Sequence, residues 1–241
     1  MPRNSLTFEV CIDTAAGFTA CDDVVDRIEL CSALDVGGLT PCPGLIAAAQ
    51  DSAIPSHVMI RPRAGDFCYD VADQKAMRAS VEAAKQAGLA GVVIGASKGD
   101  QLDLPTLRDL VAEAEGLEVT LHRVIDLLPN PLAAMEQAIE LGIHRILTSG
   151  GAPRAVDGQA TLRAMQEAAK GRIEIMVGSG VSVSNLAELA QNTGITSFHA
   201  SCSTASPVAE HLHHFGFAKT QKITNRATVL AFRKKLDSLS A

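Results

Sequence analysis

The chain has 241 residues, 47% of them hydrophobic, and a net charge of −6 from 27 acids and 21 bases. That is enough apolar material for one sizeable core, which excludes a disordered tail and a small disulfide scaffold. Seven Phe, one Tyr and no Trp on an acidic chain offer neither a basic stripe for phosphates nor a stacking platform for bases, so nucleic acid is not an expected partner.

Short runs rich in Val, Ile and Leu recur in chain order: LTFEVCI from Leu6, DRIELC from Asp26, HVMIRP from His57, GVVIG from Gly91, EVTLHR from Glu118, HRILTSGG from His144, RIEIMVGSG from Arg172 and SFHAS from Ser197. Helical spacing fills the gaps, as in Ala72–Gly88 and Leu104–Gly116, each ending at a glycine. Asp13–Val25 has room for a modest helix that carries Cys21. At ~30 residues per strand-plus-helix unit the length holds about eight units. Alternation repeated that often predicts an α/β protein, a single-domain (β/α)8 TIM barrel over residues 1–241. A doubly wound open sheet is the alternative, but no GxGxxG follows the first strand and no composition break marks a second domain. Ala205–Thr224 is polar and reads as irregular. Arg226–Leu236 reads as a last helix, on the outside of the barrel or closing its bottom. No run of ~18 uncharged apolar residues predicts a membrane span. The start MPRNSLTFEV has no leader pattern, and six cysteines scattered without CxxC point to reduced thiols in a cytoplasmic protein.

Side chains of a strand alternate between faces, so the runs can be split by parity. Val10, Ile12, Ile28, Leu30, Val58, Ile60 and Val177 then face the helices. Glu9, Arg27, Glu29, Arg61, His122 and His199 face the lumen, where barrels ordinarily pack branched aliphatics. Buried charges are costly unless paired. The set is therefore either a polar plug of mutually satisfied ion pairs or a catalytic site near the strand ends.

Two chemistries suit these residues. For acid/base work, His122 and Glu29 are the pair, acting on a small phosphorylated or carboxylated metabolite. Arg61 and Arg63 serve as anion clamps, with Arg27 nearer the lumen. Gly178-Ser179-Gly180, ahead of a helix start near Ser182 or Ser184, and Ser149-Gly150-Gly151 offer backbone N–H groups for an anion, or merely turn the chain. Asp126 orients a loop, binds a hydroxyl or caps a helix, and Arg123 points to the loop or pairs with an acid. For metal work, Cu(I) favours thiolates. Cys11 and Cys31 end neighbouring strands on the same face, and are otherwise small buried hydrophobes. Cys42 and Cys68 sit on mouth loops and could add ligands. His211, His213 and His214 of HLHH lie in the polar tail, where exposed histidines need no function.

The blocks EVCID, DRIELCSALDVGGLTPCPGLI, VMIRPRAGDFCY, VTLHRVID, RILTSGG and RIEIMVGSGV, in this order, closely resemble the CutC family from about Phe8 to Ser201. The resemblance implies a TIM barrel, a role in copper homeostasis with copper (Cu(I)) as the bound ion, an enzyme-like cavity at the barrel mouth and a homo-oligomer. The chain departs from the family pattern at Cys42, at Ser201-Cys202, at Thr224-Asn225 and along Ser206–Phe217. Residues 205–241 form the divergent end.

Overall fold

The computed structural model describes residues 6–240, so the polar start Met1–Ser5 and Ala241 lie outside it. All eight expected strands are present: β1 (Thr7–Ile12), β2 (Arg27–Leu30), β3 (Ser56–Met59), β4 (Gly91–Ile94), β5 (Glu118–Leu121), β6 (Arg145–Thr148), β7 (Glu174–Val177) and β8 (Ser197–Ala200). They are parallel and each pairs with its neighbours in sequence, β8 closing onto β1. Helices Ala15–Cys21, Pro43–Gln50, Val71–Gln86, Leu104–Glu113, Pro131–Glu140, Gln159–Ala169 and Leu186–Thr193 fill the crossovers.

Local chemistry explains where these helices begin and end. The Asp70 carboxylate accepts from Asp73 N at 2.8 Å, and Asn130 Oδ1 accepts from Ala133 N at 3.0 Å ahead of Pro131. Gly88 and Gly116, with φ of +66° and +90°, lie just past two helices and turn the chain into the next strand.

The outward residues of every strand, among them Phe8, Val10, Ile28, Val58, Ile146, Ile175 and Phe198, join the helix faces in one continuous apolar core. That jacket holds the barrel, while the lumen carries polar groups. The last helix, Arg226–Leu239, packs on the outside. Phe232 stacks on Phe8 with ring centroids 4.3 Å apart, and Arg233 Nη2 donates to Asp26 at 2.5 Å. Asn225, where the family pattern has Asp, caps this helix through Thr228 N at 3.0 Å, a role either residue fills.

The stretch read as irregular is in fact an antiparallel ribbon, Ser203–Pro207 against Thr220–Thr224, with a short helix Glu210–His213 in its connection. A two-stranded ribbon exposed on both faces has no apolar alternation to betray it. Lys222 on this ribbon reaches Asp35 at 3.2 Å, so the ribbon touches the loop after β2. Among the described residues no helix is long and apolar enough to cross a membrane.

Candidate active site at the barrel mouth

The lumen divides into two levels. In the lower one, toward the strand starts, Arg145 is the hub. Its Nη1 donates to Thr120 Oγ1 and its Nη2 to Glu118 Oε2, both at 3.1 Å, and its Nε lies 2.8 Å from Glu174 Oε2. Glu174 Oε1 accepts from Ser197 Oγ at 2.6 Å and lies 3.7 Å from Arg27 Nη2. Arg27 Nε donates to Glu9 Oε2. Burial alone would raise the Glu9 carboxyl, but the His199 hydrogen bond and the Arg27 charge hold it well below the usual carboxylate range.

Arg145 and His57 were missing from the candidates. His57 follows the same parity as Met59 and was legible. Arg145 was not, because Ile146 and Leu147 are both apolar and give the sixth strand no alternation to split.

At the upper level, toward the strand ends, the cavity is about 510 Å³, a size suited to a small metabolite. Cys11, Glu29, Arg61, His122, His199 and Ser179 are on its wall. The loops around it bring Val36, Phe67, Arg123, Gly180 and Lys222.

Arg61 acts first as a clamp on two loops. Its Nη1 donates to the carbonyls of Val36 (2.7 Å) and Gly38 (3.0 Å), its Nη2 donates to Gly65 O (3.0 Å), and its guanidinium lies 4.9 Å over the Phe67 ring. The His122 ring lies against the Gly95 backbone, where any Cβ would overlap it. Its Nδ1 accepts from Val124 N at 3.1 Å, which places the ring proton on Nε2. Burial, helped by the Arg61 charge, lowers its pKa to about 3. His122 is therefore a neutral donor. Glu29 is shifted the other way, its pKa raised by burial against the pull of His199. Three polar atoms of this wall find no hydrogen-bond partner among the described residues: Glu29 Oε1, Arg61 Nε and His122 Nε2.

The cysteines fall out differently from the expected pair. The stagger of the barrel puts Cys11 opposite Glu29 in register, not opposite Cys31. The Cys11 Sγ, a Glu29 oxygen and a His199 ring nitrogen lie within 4.8 Å of one another. Cys31 packs with Met59, Val93 and Leu34 and turns its thiol to Glu29 Oε2 at 3.5 Å. Burial and the Glu29 charge push that thiol well above its ordinary pKa. Cys42 and Cys68 are exposed and do not line the cavity. In HLHH, His213 Nε2 contacts Val208 O at 3.1 Å while His211 and His214 are exposed.

Two of the expected anion binders are already engaged. Arg63 points away from the cavity, its guanidinium held by Asp73 (2.8 Å), Asp66 (2.9 Å) and Cys68 O (2.6 Å). The ladder runs on to Ile60, whose N–H donates to Val93 O, so parity reaches Arg61 and lapses before Arg63. The Ser149 and Gly151 amides donate to Asp126 at 3.0 Å, and the Gly150 amide donates to Thr148 Oγ1 at 2.9 Å. Asp126 is the loop-orienting group, and Arg123 pairs with it at 2.8 Å.

The other glycine loop stays at the cavity. Ser179 and Gly180 adopt φ of +74° and +71° and line the wall. Gly178 leaves room just below, where a Cβ would come within 2.6 Å of the Leu147 side chain and displace it. The following helix starts at Leu186, two to four residues later than expected, with Ser182 N donating to Asn185 Oδ1 at 2.9 Å.

The CutC family model matches residues 6–204. The chain belongs to the CutC family. CutC-family proteins of Sinorhizobium medicae and Caulobacter vibrioides are 47% and 46% identical to it, over 99% of this chain in both cases and over 99% and 100% of their own lengths. The crystal structure of the CutC protein from Streptococcus agalactiae superposes with a TM-score of 0.78 at 30% identity, covering 81% of this chain and 98% of that one. CutC membership accounts for the six sequence blocks and for the barrel. The match ends at residue 204, within the first strand of the ribbon that carries Lys222.

Proposed function

We propose that the barrel mouth is an active site for acid/base chemistry on a small carboxylated or phosphorylated metabolite. One observation carries the reading: three residues that line one cavity each keep a buried polar atom with no hydrogen-bond partner among the described residues, the acceptor Glu29 Oε1 and the donors Arg61 Nε and His122 Nε2. A plug built for stability satisfies such groups internally, because each orphan costs about 1–3 kcal/mol. A site for a polar ligand leaves them free until the ligand arrives.

The roles follow from the protonation states. His122 offers its Nε2–H to a ligand carbonyl or oxyanion and stays neutral while doing so, a function suited to a depressed imidazole pKa. Glu29, with its pKa raised by burial, takes or returns the proton. Arg61, whose guanidinium is held by carbonyls and the Phe67 ring, gives the wall a positive charge for the anionic group. Arg123 and Lys222 at the rim are paired with Asp126 and Asp35. A screen of metabolite pools for turnover tests the reading. Glu29→Gln is expected to lower turnover by about 10²–10⁴-fold and His122→Ala by a smaller factor. Unchanged turnover in both variants overturns it.

Copper is the second reading, prompted by the convergence of Cys11, Glu29 and His199 and by the copper-homeostasis name of the Streptococcus agalactiae relative. The donor set suits Cu(I) poorly. That ion prefers two or three thiolates, and Cys11 meets an imidazole and a carboxylate instead of Cys31. Anaerobic Cu(I) titration of the wild type and of Cys11→Ser, Cys31→Ser decides it, and equal binding by both removes copper from this site.

A further inference from the structure

We infer that Cys11 is a nucleophile, activated by His199 and Glu9, and that the site transfers the acyl group of a small ester, thioester or amide through a thioester on Cys11. The inference rests on the reading of the mouth as an active site and adds the reaction type.

The geometry is a relay built across three strands. Glu9 on β1 stands in register with Arg27 on β2 and with His199 on β8. Arg27 holds one Glu9 oxygen, and the other lies 2.7 Å from His199 Nδ1. An ionised carboxylate there fixes the ring through Nδ1–H. Against burial, which would lower it, the Cys11 and Glu29 charges raise the His199 pKa well above its ordinary value, so the ring is an imidazolium whose Nε2 lies 3.7 Å from Glu29 Oε2. Two residues above Glu9 on the same face, the Cys11 thiol lies within 4.8 Å of a His199 ring nitrogen and on the cavity wall. Nucleophile, base and orienting carboxylate in that order are the arrangement that activates a thiol. Cys31 is the internal contrast. It is also buried beside Glu29, yet its apolar neighbours are Met59, Val93 and Leu34, and among the described residues its thiol hydrogen-bonds to Glu29 and to no imidazole. The unpartnered donors of Arg61 and His122 on the same wall supply what a nucleophile alone lacks, a place for developing negative charge on oxygen.

The step balances without an oxidant or a further reactant. In the Cys11–His199 pair the proton resides on the imidazole, and the thiolate Sγ attacks the carbonyl carbon. The S–C bond forms and the π pair moves onto oxygen, facing the free donors. On collapse the C=O re-forms and the leaving group departs with the proton from His199. Water then attacks the thioester carbon, giving a proton to the now neutral His199, and Cys11 leaves as the thiolate, which restores the thiolate–imidazolium pair. The products are a carboxylic acid and the protonated leaving group.

The test uses the intact chain and two probes. Iodoacetamide labelling at neutral pH, read by peptide mass spectrometry, is expected to modify Cys11 faster than exposed Cys42 and Cys68 by on the order of tenfold, despite its burial. His199→Asn and Glu9→Gln should each abolish that advantage while leaving the Cys42 and Cys68 rates as internal references. p-Nitrophenyl acetate should release a stoichiometric burst of p-nitrophenolate and leave an acetyl group on Cys11, absent in Cys11→Ser. Cys11 labelled more slowly than Cys42 in the wild type, or a burst that survives Cys11→Ser, overturns the inference, and the wild-type comparison holds even if a relay variant fails to fold. Metabolite turnover retained in Cys11→Ser sinks the covalent step alone. Reactive Cys11 with turnover insensitive to Glu29→Gln and His122→Ala sinks the acid/base reading alone.

Discussion

The two levels of the lumen are built from the same residue types and reach opposite ends. Below, Arg27, Arg145, Glu9 and Glu174 contact one another, and the atoms left without a hydrogen bond there, His57 Nδ1 and Arg145 Nε, lie away from the cavity, the latter still 2.8 Å from Glu174. Above, Glu29, Arg61 and His122 are just as buried but keep atoms unpaired around a cavity. Polarity inside a barrel thus does not mark a site by itself. What distinguishes the upper level is incomplete satisfaction in a place where a ligand can complete it.

The sharpest way to break this contrast is to remove a partner from the lower level. Arg27→Met strands Glu9 in a nearly water-free position, and a loss of about 3–5 kcal/mol in denaturant unfolding is expected. A loss below about 1 kcal/mol would mean the lower network is not a structural unit.

Acid titration probes the same level. His57 is buried, and its pKa is lowered from 6.5 to about 4, chiefly by desolvation. The unfolded chain therefore takes up its proton first as pH falls. Stability from this group is complete above pH 6.5 and is lost progressively down to about pH 4, amounting to ~3 kcal/mol. Comparing unfolding of the wild type and His57→Gln at pH 7 and pH 4 isolates the effect, and parallel losses in both proteins would contradict it.

Gly95→Ala carries the comparison to the mouth. The added Cβ overlaps the His122 ring, so a cost of about 1–3 kcal/mol is expected from overpacking, together with a displaced imidazole signal in ¹H–¹⁵N NMR spectra. An unmoved His122 signal would mean that the glycine does not set the ring.

The smallest change belongs to Glu29→Gln. Its folded pKa is raised, so the charged form is penalised and its destabilising effect grows as pH rises above the unfolded value. Replacing it should leave stability at pH 7 unchanged or higher by up to about 1 kcal/mol. A loss approaching that of Arg27→Met would erase the distinction between the levels.

The barrel was legible because strand–helix alternation is a local, repeated signal, and parity sent Glu29, Arg61 and His122 to one cavity. Parity acts within a strand; the offset between strands does not appear in the sequence. Cys11 and Cys31 looked adjacent on that account, whereas the observed register sets Cys11 beside Glu29 and His199. Parity holds for Arg61 and His122 just past their strands and then gives out; Arg63 and the Ser149–Gly151 amides lie beyond its reach and are engaged by Asp66, Asp73, Asp126 and Thr148. The ribbon bearing Lys222 was invisible for a different reason, since both its faces meet water.

The fate of the two glycine loops bears on what the protein can take up. Asp126 is a tethered tenant of the Ser149–Gly151 turn: being part of the chain, it neither dissociates nor pays the entropy of arrival. A visiting carboxylate or phosphate competing for those amides faces a rival at permanently high local concentration. Traffic is thereby directed to the neighbouring loop, where Ser179 and Gly180 border the chamber without such a resident.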